Sequence, residues 1–133
     1  MSCTLARAVA HNKKEKGMKT VWGSMEVLEK DKNSLGGEFC VKKLVIDSGH
    51  RLSLQKHYHR NEIWHIVSGV GIITHGNEEI EVGIGNVVSI EKGVVHRAEN
   101  REARMKLVII EVSYGKHVHD EDIIRIEDDY GRV

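Results

Sequence analysis

Residues 49–69 read GHRLSLQKHYHRNEIWHIVSG, and how this stretch is read decides the fold. As a strand over 51–59, alternation puts Arg51, Ser53, Gln55, His57 and His59 on one face. Leu52 and Leu54 fall on the other. A surface strand has no need of a Gln-x-His-x-His face backed by leucines. After a turn at Arg60-Asn61, Glu62, Trp64 and Ile66 share one face of a second strand. Farther along, GVVH at 93–96 contributes His96. A divalent metal site takes three or four nitrogen and oxygen donors from separate strands. Gln55, His57, Glu62 and His96 are the candidate donors. A single histidine on a strand is ordinarily solvated or hydrogen-bonded. His11, His50, His117 and His119 lie in polar context and are read that way. His65 and His75 alternate away from the site face or lie in a turn.

Outward from this stretch the text is strand-like. Apolar, β-branched runs at 41–46, 63–67, 70–74, 87–90 and 107–112 are separated by glycines. Short strands at steady spacing with turn signals between them predict an all-β sandwich or barrel. No central stretch keeps a helical period. His75-Gly76-Asn77-Glu78 reads as a hairpin turn. Residues 120–133 are acidic with Ile123, Ile124 and Ile126, and pattern leaves open a short helix or a strand along the barrel. Residues 1–19, with a basic run over 11–19, are expected to form an N-terminal arm, either solvated or paired with a second subunit. Residues 20–133 are expected to form one domain.

Composition narrows the function classes. The chain has 133 residues, 20 basic and 20 acidic, so its formal charge is zero. That lacks the basic footprint of a nonspecific nucleic-acid binder and the charge excess of a disordered chain. Hydrophobic residues are 40% and aromatics 5%, so an aliphatic core is expected. Two cysteines, Cys3 and Cys40, make no disulfide framework. No run is long enough for a membrane-spanning helix, and the first ten residues lack a secretory signal pattern. A soluble cytoplasmic domain is the expectation. Nine histidines and no proline are the two unusual counts.

The spacing resembles the cupin superfamily. Its first motif, G-x5-H-x-H-x3,4-E-x6-G, is met by Gly49, Gln55, His57, Glu62 and Gly69, with glutamine at the first histidine position. Its second, G-x5-P-x-G-x2-H-x3-N, is met by Gly85, Glu91, Gly93, His96 and Asn100, with glutamate for proline. Using His57 and His59 as the pair leaves too few residues before Glu62. The strings VWGSMEVLEK (21–30), LSLQKHYHRNEIWHIVSG (52–69), KGVVHRAEN (92–100) and DIIRIEDDYGR (122–132) further resemble the type II mannose-6-phosphate isomerase cupin. That domain commonly accompanies a guanylyltransferase, but no glycine-rich nucleotide loop occurs here.

The resemblance implies a single jelly-roll barrel enclosing a divalent metal, with zinc first and manganese, cobalt or nickel as alternatives. It also implies interconversion of mannose 6-phosphate and fructose 6-phosphate through an enediol. Such a reaction needs a Lewis acid and a general base. The expected metal ligands are Gln55, His57, Glu62 and His96. His59 is the candidate base or substrate hydrogen-bonder, or else it ligates in place of Gln55; Glu62 is the competing base. Phosphate calls for Arg or Lys, so Arg60, Arg51 and Lys43 are the candidates, and Trp64 stacks on the sugar or fills the core. Arg97 is expected to alternate outward from His96. Arg125 and Arg132 would reach phosphate only if the tail folds over the barrel mouth. A sugar phosphate is the expected partner, and a homodimer follows by analogy with paired cupin barrels. A non-catalytic sugar-binding or sensing cupin is the competing reading. Gln55 disfavours an iron oxygenase.

Overall fold

The computed structural model describes residues 17–133, which form eleven strands and no helix. Of the expected arm, residues 1–16 lie outside the described residues. β1 (Met18–Lys19) pairs antiparallel with β2 (Gly23–Lys32). The remaining strands are β3 (Glu38–Ile46), β4 (Leu54–Lys56), β5 (Asn61–Ser68), β6 (Gly71–His75), β7 (Glu78–Val82), β8 (Val87–Ile90), β9 (His96–Glu99), β10 (Leu107–Gly115) and β11 (Ile124–Glu127). One sheet has the order β1-β2-β3-β10-β5-β8, and the other β11-β4-β9-β6-β7. Every pairing is antiparallel. From β3 onward the chain crosses between the sheets at every connection except the β6–β7 hairpin, as in a jelly roll.

Alternation along the strands explains what lies inside. In β3, Cys40, Lys42, Leu44 and Ile46 are buried, while Lys43 between them is exposed. In β10, Leu107, Ile109, Glu111 and Ser113 are buried. The core between the sheets holds Leu44, Ile46, Leu52, Ile66, Ile73 and Ile109. It is mostly aliphatic, as composition predicts, yet Trp22 and Trp64 also belong to it. The hairpin expected at 75–78 joins β6 to β7. The tail forms strand β11 rather than a helix, and pairs with β4.

The strand expected over 51–59 is much shorter. Only Leu54–Lys56 make β4, and Arg51 makes an isolated bridge to Glu99. The Asp122 carboxylate takes the backbone N–H groups of Tyr58 and His59 at 2.9 and 2.8 Å. Gly93 N–H donates to the carbonyl of His57 at 2.8 Å. These bonds turn the chain just past Lys56, so simple alternation stops before His59.

Candidate metal centre

His57, Glu62 and His96 arrive from three places: just past β4, the start of β5 and the start of β9. All three are buried, with donor atoms within 4.8 Å of one another. His57 Nε2 is 3.3 Å from Glu62 Oε2, and His96 Nε2 is 3.3 Å from Glu62 Oε1.

Backbone carbonyls orient both rings. His57 Nδ1 lies 2.6 Å from the carbonyl of Asp122, and His96 Nδ1 2.8 Å from that of Val94. A carbonyl only accepts, so each Nδ1 carries a proton and donates it. In the neutral ring each Nε2 then presents a lone pair. Burial is the chief reason that His57 is neutral, pushing it down to about 4 against the pull of the Glu62 carboxylate. Burial also resists ionisation of Glu62, but His96 and His57 in their charged forms and the Arg60 guanidinium outweigh it and hold the carboxyl below its usual range. With both rings neutral, two imidazole lone pairs face a carboxylate that Arg60 still holds. Glu62 Oε1 and His96 Nε2 have no hydrogen-bond partner at all. Metal-binding histidines characteristically donate their second N–H to a carbonyl or carboxylate. The set fits a borderline divalent ion bound by nitrogen and oxygen.

Arg60 closes one side. It is buried, donating from Nε to Glu62 Oε2 at 3.0 Å, from Nη2 to His57 Nε2 at 3.3 Å and from Nη1 to the carbonyl of His119 at 2.8 Å. Gln55 sits opposite His96 across the β4–β9 ladder, so the two side chains share a face. Its Oε1 accepts from Ser53 Oγ at 2.8 Å.

A cavity of about 250 Å³ adjoins this cluster, lined by Gln55, Arg60, Lys42, Glu111 and Arg125 among others. Glu111 Oε1 accepts from Trp64 Nε1 at 3.0 Å. Burial, reinforced by the charge of Glu62, raises Glu111 to about 7, although Lys42 and the Trp64 N–H oppose the rise. Lys42 pairs with Asp120 at 3.1 Å. Arg125 Nε is buried without a partner, and burial followed by the Arg132 charge lowers its basicity. Arg132, also at the cavity, is held by Asp128 at 2.8 Å.

The structure therefore gathers His57, Glu62, His96 and Arg60, with Gln55 beside them, and places the other expected residues elsewhere. His59 is exposed, its ring edge-on to His117 at 6.2 Å, because the chain turns after Lys56. Lys43 points out of the barrel because β3 turns Lys42 inward. Arg51 is held by both oxygens of Asp129, at 2.7 and 2.8 Å, rather than facing the cavity. Trp64 is wholly buried, edge-on to His96, so it packs the core. Arg97 faces away from His96 but is buried, because its Nε bonds the carbonyl of Leu52 and its Nη1 meets Glu127 of β11.

Sequence reasoning overlooked Lys42 and Glu111. Lys42 and Glu111 carried a signal, since each occupies an inward position between apolar neighbours on its strand. Arg125 could be named only on the condition that the tail folds over the barrel mouth, and β11 meets that condition by pairing with β4.

Residues 8–128 match the family described as mannose-6-phosphate isomerase C-terminal. The xanthan biosynthesis protein XanB of Xanthomonas campestris is 37% identical over 112 residues, covering 84% of this chain and 23% of that protein. The alginate biosynthesis protein AlgA of Pseudomonas aeruginosa is 38% identical, covering 84% and 22%. Mannose-1-phosphate guanylyltransferase ManC of Salmonella typhimurium is 33% identical, with the same coverage. The chain thus spans less than a quarter of the length of these curated relatives. Among solved structures, the capsular polysaccharide assembling protein CapF of Staphylococcus aureus superposes with a TM-score of 0.67 at 20% identity, over 85% of this chain and 34% of that one. A conserved Klebsiella pneumoniae protein with a double-stranded β-helix domain superposes with a TM-score of 0.61 at 16% identity, over 85% and 86%. At those identities the likeness concerns the fold.

Proposed function

The chain belongs to the mannose-6-phosphate isomerase C-terminal family, and from that premise we propose that it is a metal-dependent aldose–ketose isomerase interconverting mannose 6-phosphate and fructose 6-phosphate. The observation that supports this reading best is the make-up of one cavity. Metal donors and Arg60 lie beside it, a buried acid near neutrality lines it, and so does Arg125, whose Nε has no partner.

Moving a proton between C1 and C2 of an open-chain sugar phosphate passes through an enediol. A base that takes and returns that proton works best when its pKa lies near the operating pH. Glu111, raised to about 7, meets that condition. Its bond from Trp64 Nε1 leaves the other carboxylate oxygen to act. Glu62 is unsuited to shuttle a proton, because its neighbours keep it ionised. His57, Glu62 and His96, with Gln55 as the fourth donor, hold the ion, zinc first. When bound, that ion supplies a Lewis acid for sugar oxygens. Arg60 orients Glu62 and His57 and adds positive charge where the enediolate develops. Arg125 takes the phosphate: its Nε is buried without a partner at the cavity, and a phosphate oxygen would satisfy that N–H. In this assignment Arg125 replaces Arg51 and Lys43, and His59 has no role in the reaction.

The test is a coupled assay for fructose 6-phosphate formation from mannose 6-phosphate. It uses chelated protein with zinc, manganese, cobalt or nickel added back. Metal-dependent turnover that disappears in His96→Ala and Glu111→Gln is the expected result. Sugar-phosphate binding without turnover is the second reading, supported by the unpartnered Nε of Arg125 at the cavity, which suits an anion whether or not a reaction follows. Stoichiometric metal binding with no turnover on any metal would select it.

A further inference from the structure

A second group of metal donors lies on the surface. Glu38, His117 and His119 bring one donor atom each to within 4.8 Å of one another. The segment after β10 explains how. Val118 is buried, while His117 and His119 on either side of it are exposed, with their rings stacked at 5.8 Å and 20°. The buried valine therefore anchors the segment and turns both imidazoles out together. Glu38, at the start of β3, accepts the Val118 N–H on Oε1 at 2.9 Å, which leaves Oε2 available. His117 and His119 read as solvated surface histidines in the sequence. Their convergence with Glu38, about 80 residues away, exists only in the fold.

We propose that Glu38, His117 and His119 form a second metal site, distinct from the buried set and selective for a borderline divalent ion such as zinc, nickel or copper. Two imidazoles and one carboxylate suit such ions, whereas magnesium and calcium prefer oxygen donors throughout. A three-residue site leaves a coordination position for water or a ligand.

The site lies on a segment that supports the pocket. The carbonyl of His119 accepts from Arg60, Asp120 pairs with Lys42, and the carbonyl of Asp122 accepts from His57 Nδ1. An ion shared by Glu38 and the two histidines would tie this segment to the start of β3. The site does not depend on the isomerase reading, because its donors are separate residues and its binding needs no substrate.

The test is calorimetric titration of zinc into the full-length, metal-stripped protein. Three proteins are compared: the unsubstituted chain, the double variant His117→Ala/His119→Ala, and His96→Ala. The double variant is expected to bind one ion fewer per chain than the unsubstituted protein, and His96→Ala to keep that ion. The count is a difference, so it holds whether or not the buried set also fills. Both histidines are exposed, so the metal-free double variant should melt with the unsubstituted protein, which separates lost binding from lost folding. An unchanged number of ions at unchanged affinity in the double variant would overturn the proposal.

Discussion

Glu62 Oε1 and His96 Nε2 lie 3.3 Å apart inside the barrel, and neither has a hydrogen-bond partner. In the neutral ring both are acceptors, because His96 gives its one N–H to the carbonyl of Val94. A buried polar group without a partner costs roughly 1–3 kcal/mol. A cation between them removes that cost and turns repulsion into attraction.

Metal should therefore stabilise the fold through the buried set. In the His117→Ala/His119→Ala background, zinc at a hundredfold excess over its Kd should add about 2.7 kcal/mol. For a domain of this size that raises Tm by roughly 10 °C. His96→Ala in the same background should abolish the rise. A persistent zinc-dependent shift measured by differential scanning would remove His96 from the ligand set.

Gln55 and His59 should separate cleanly. Gln55 shares a face with His96, whereas His59 is exposed beside His117. Gln55→Leu should weaken zinc binding at the buried set about tenfold or more, and His59→Ala should leave it unchanged. Competition with a chromophoric chelator reads both. The reverse order would place His59 among the buried donors.

Glu111 makes stability depend on pH in a definite direction. Its folded carboxyl keeps a proton up to about 7, whereas the unfolded one loses it near 4.5. Between those values the folded state binds more protons, so this group's contribution falls as pH rises and is level above about 7. The whole effect is on the order of 3 kcal/mol. Glu111→Gln should become more stable relative to the unsubstituted protein on going from pH 4.5 to 8. Urea unfolding at both pH values checks this, and a pH-independent difference would refute it.

Arg125 and Lys43 make a matched pair of cations. Arg125 lines the cavity with a free Nε, and Lys43 faces out of the barrel. Arg125→Ala should raise KM for the sugar phosphate about tenfold or more with a smaller change in kcat. Lys43→Ala should change neither. Steady-state kinetics decide, and equal effects would remove Arg125 from phosphate binding.

Gly115 allows a close approach of the chain. A Cβ there would sit 2.5 Å from the carbonyl oxygen of His59 and 3.2 Å from Cα of Arg60. Gly115→Ala should destabilise the protein by about 1–3 kcal/mol through this clash. It should also shift Arg60, lowering turnover more than it changes zinc affinity. Chemical denaturation and the coupled assay report the two effects separately.

Much of this protein was legible in its sequence, where chemistry depends on neighbours along the chain. The glycines that frame the two motifs are an example: Gly49, Gly69, Gly85 and Gly93 all take positive φ, at 72, 82, 91 and 81°. Their spacing marks the corners of the barrel and thereby positions His57, Glu62 and His96. Alternation along β3 and β10 likewise accounts for which way Lys42, Leu44, Ile109 and Glu111 face, because a pleated strand leaves each side chain only two directions.

Tertiary structure decided what alternation cannot reach. Whether His59 joins His57 inside the barrel turned on Asp122, which captures the two N–H groups beyond His57 and ends the regular strand. That residue is more than sixty positions away, and no local pattern reports it. Arg125 became a cavity residue, and Arg97 a buried one, because the tail pairs with β4 and covers that face. Glu38, His117 and His119 met because β10 pairs with β3 and sets Gly115 opposite Glu38. The sequence alone determined the barrel and the identity of the buried donors, since periodicity and turn chemistry are local. The fold alone decided which charges lost water and which kept it, since burial depends on segments distant in the chain.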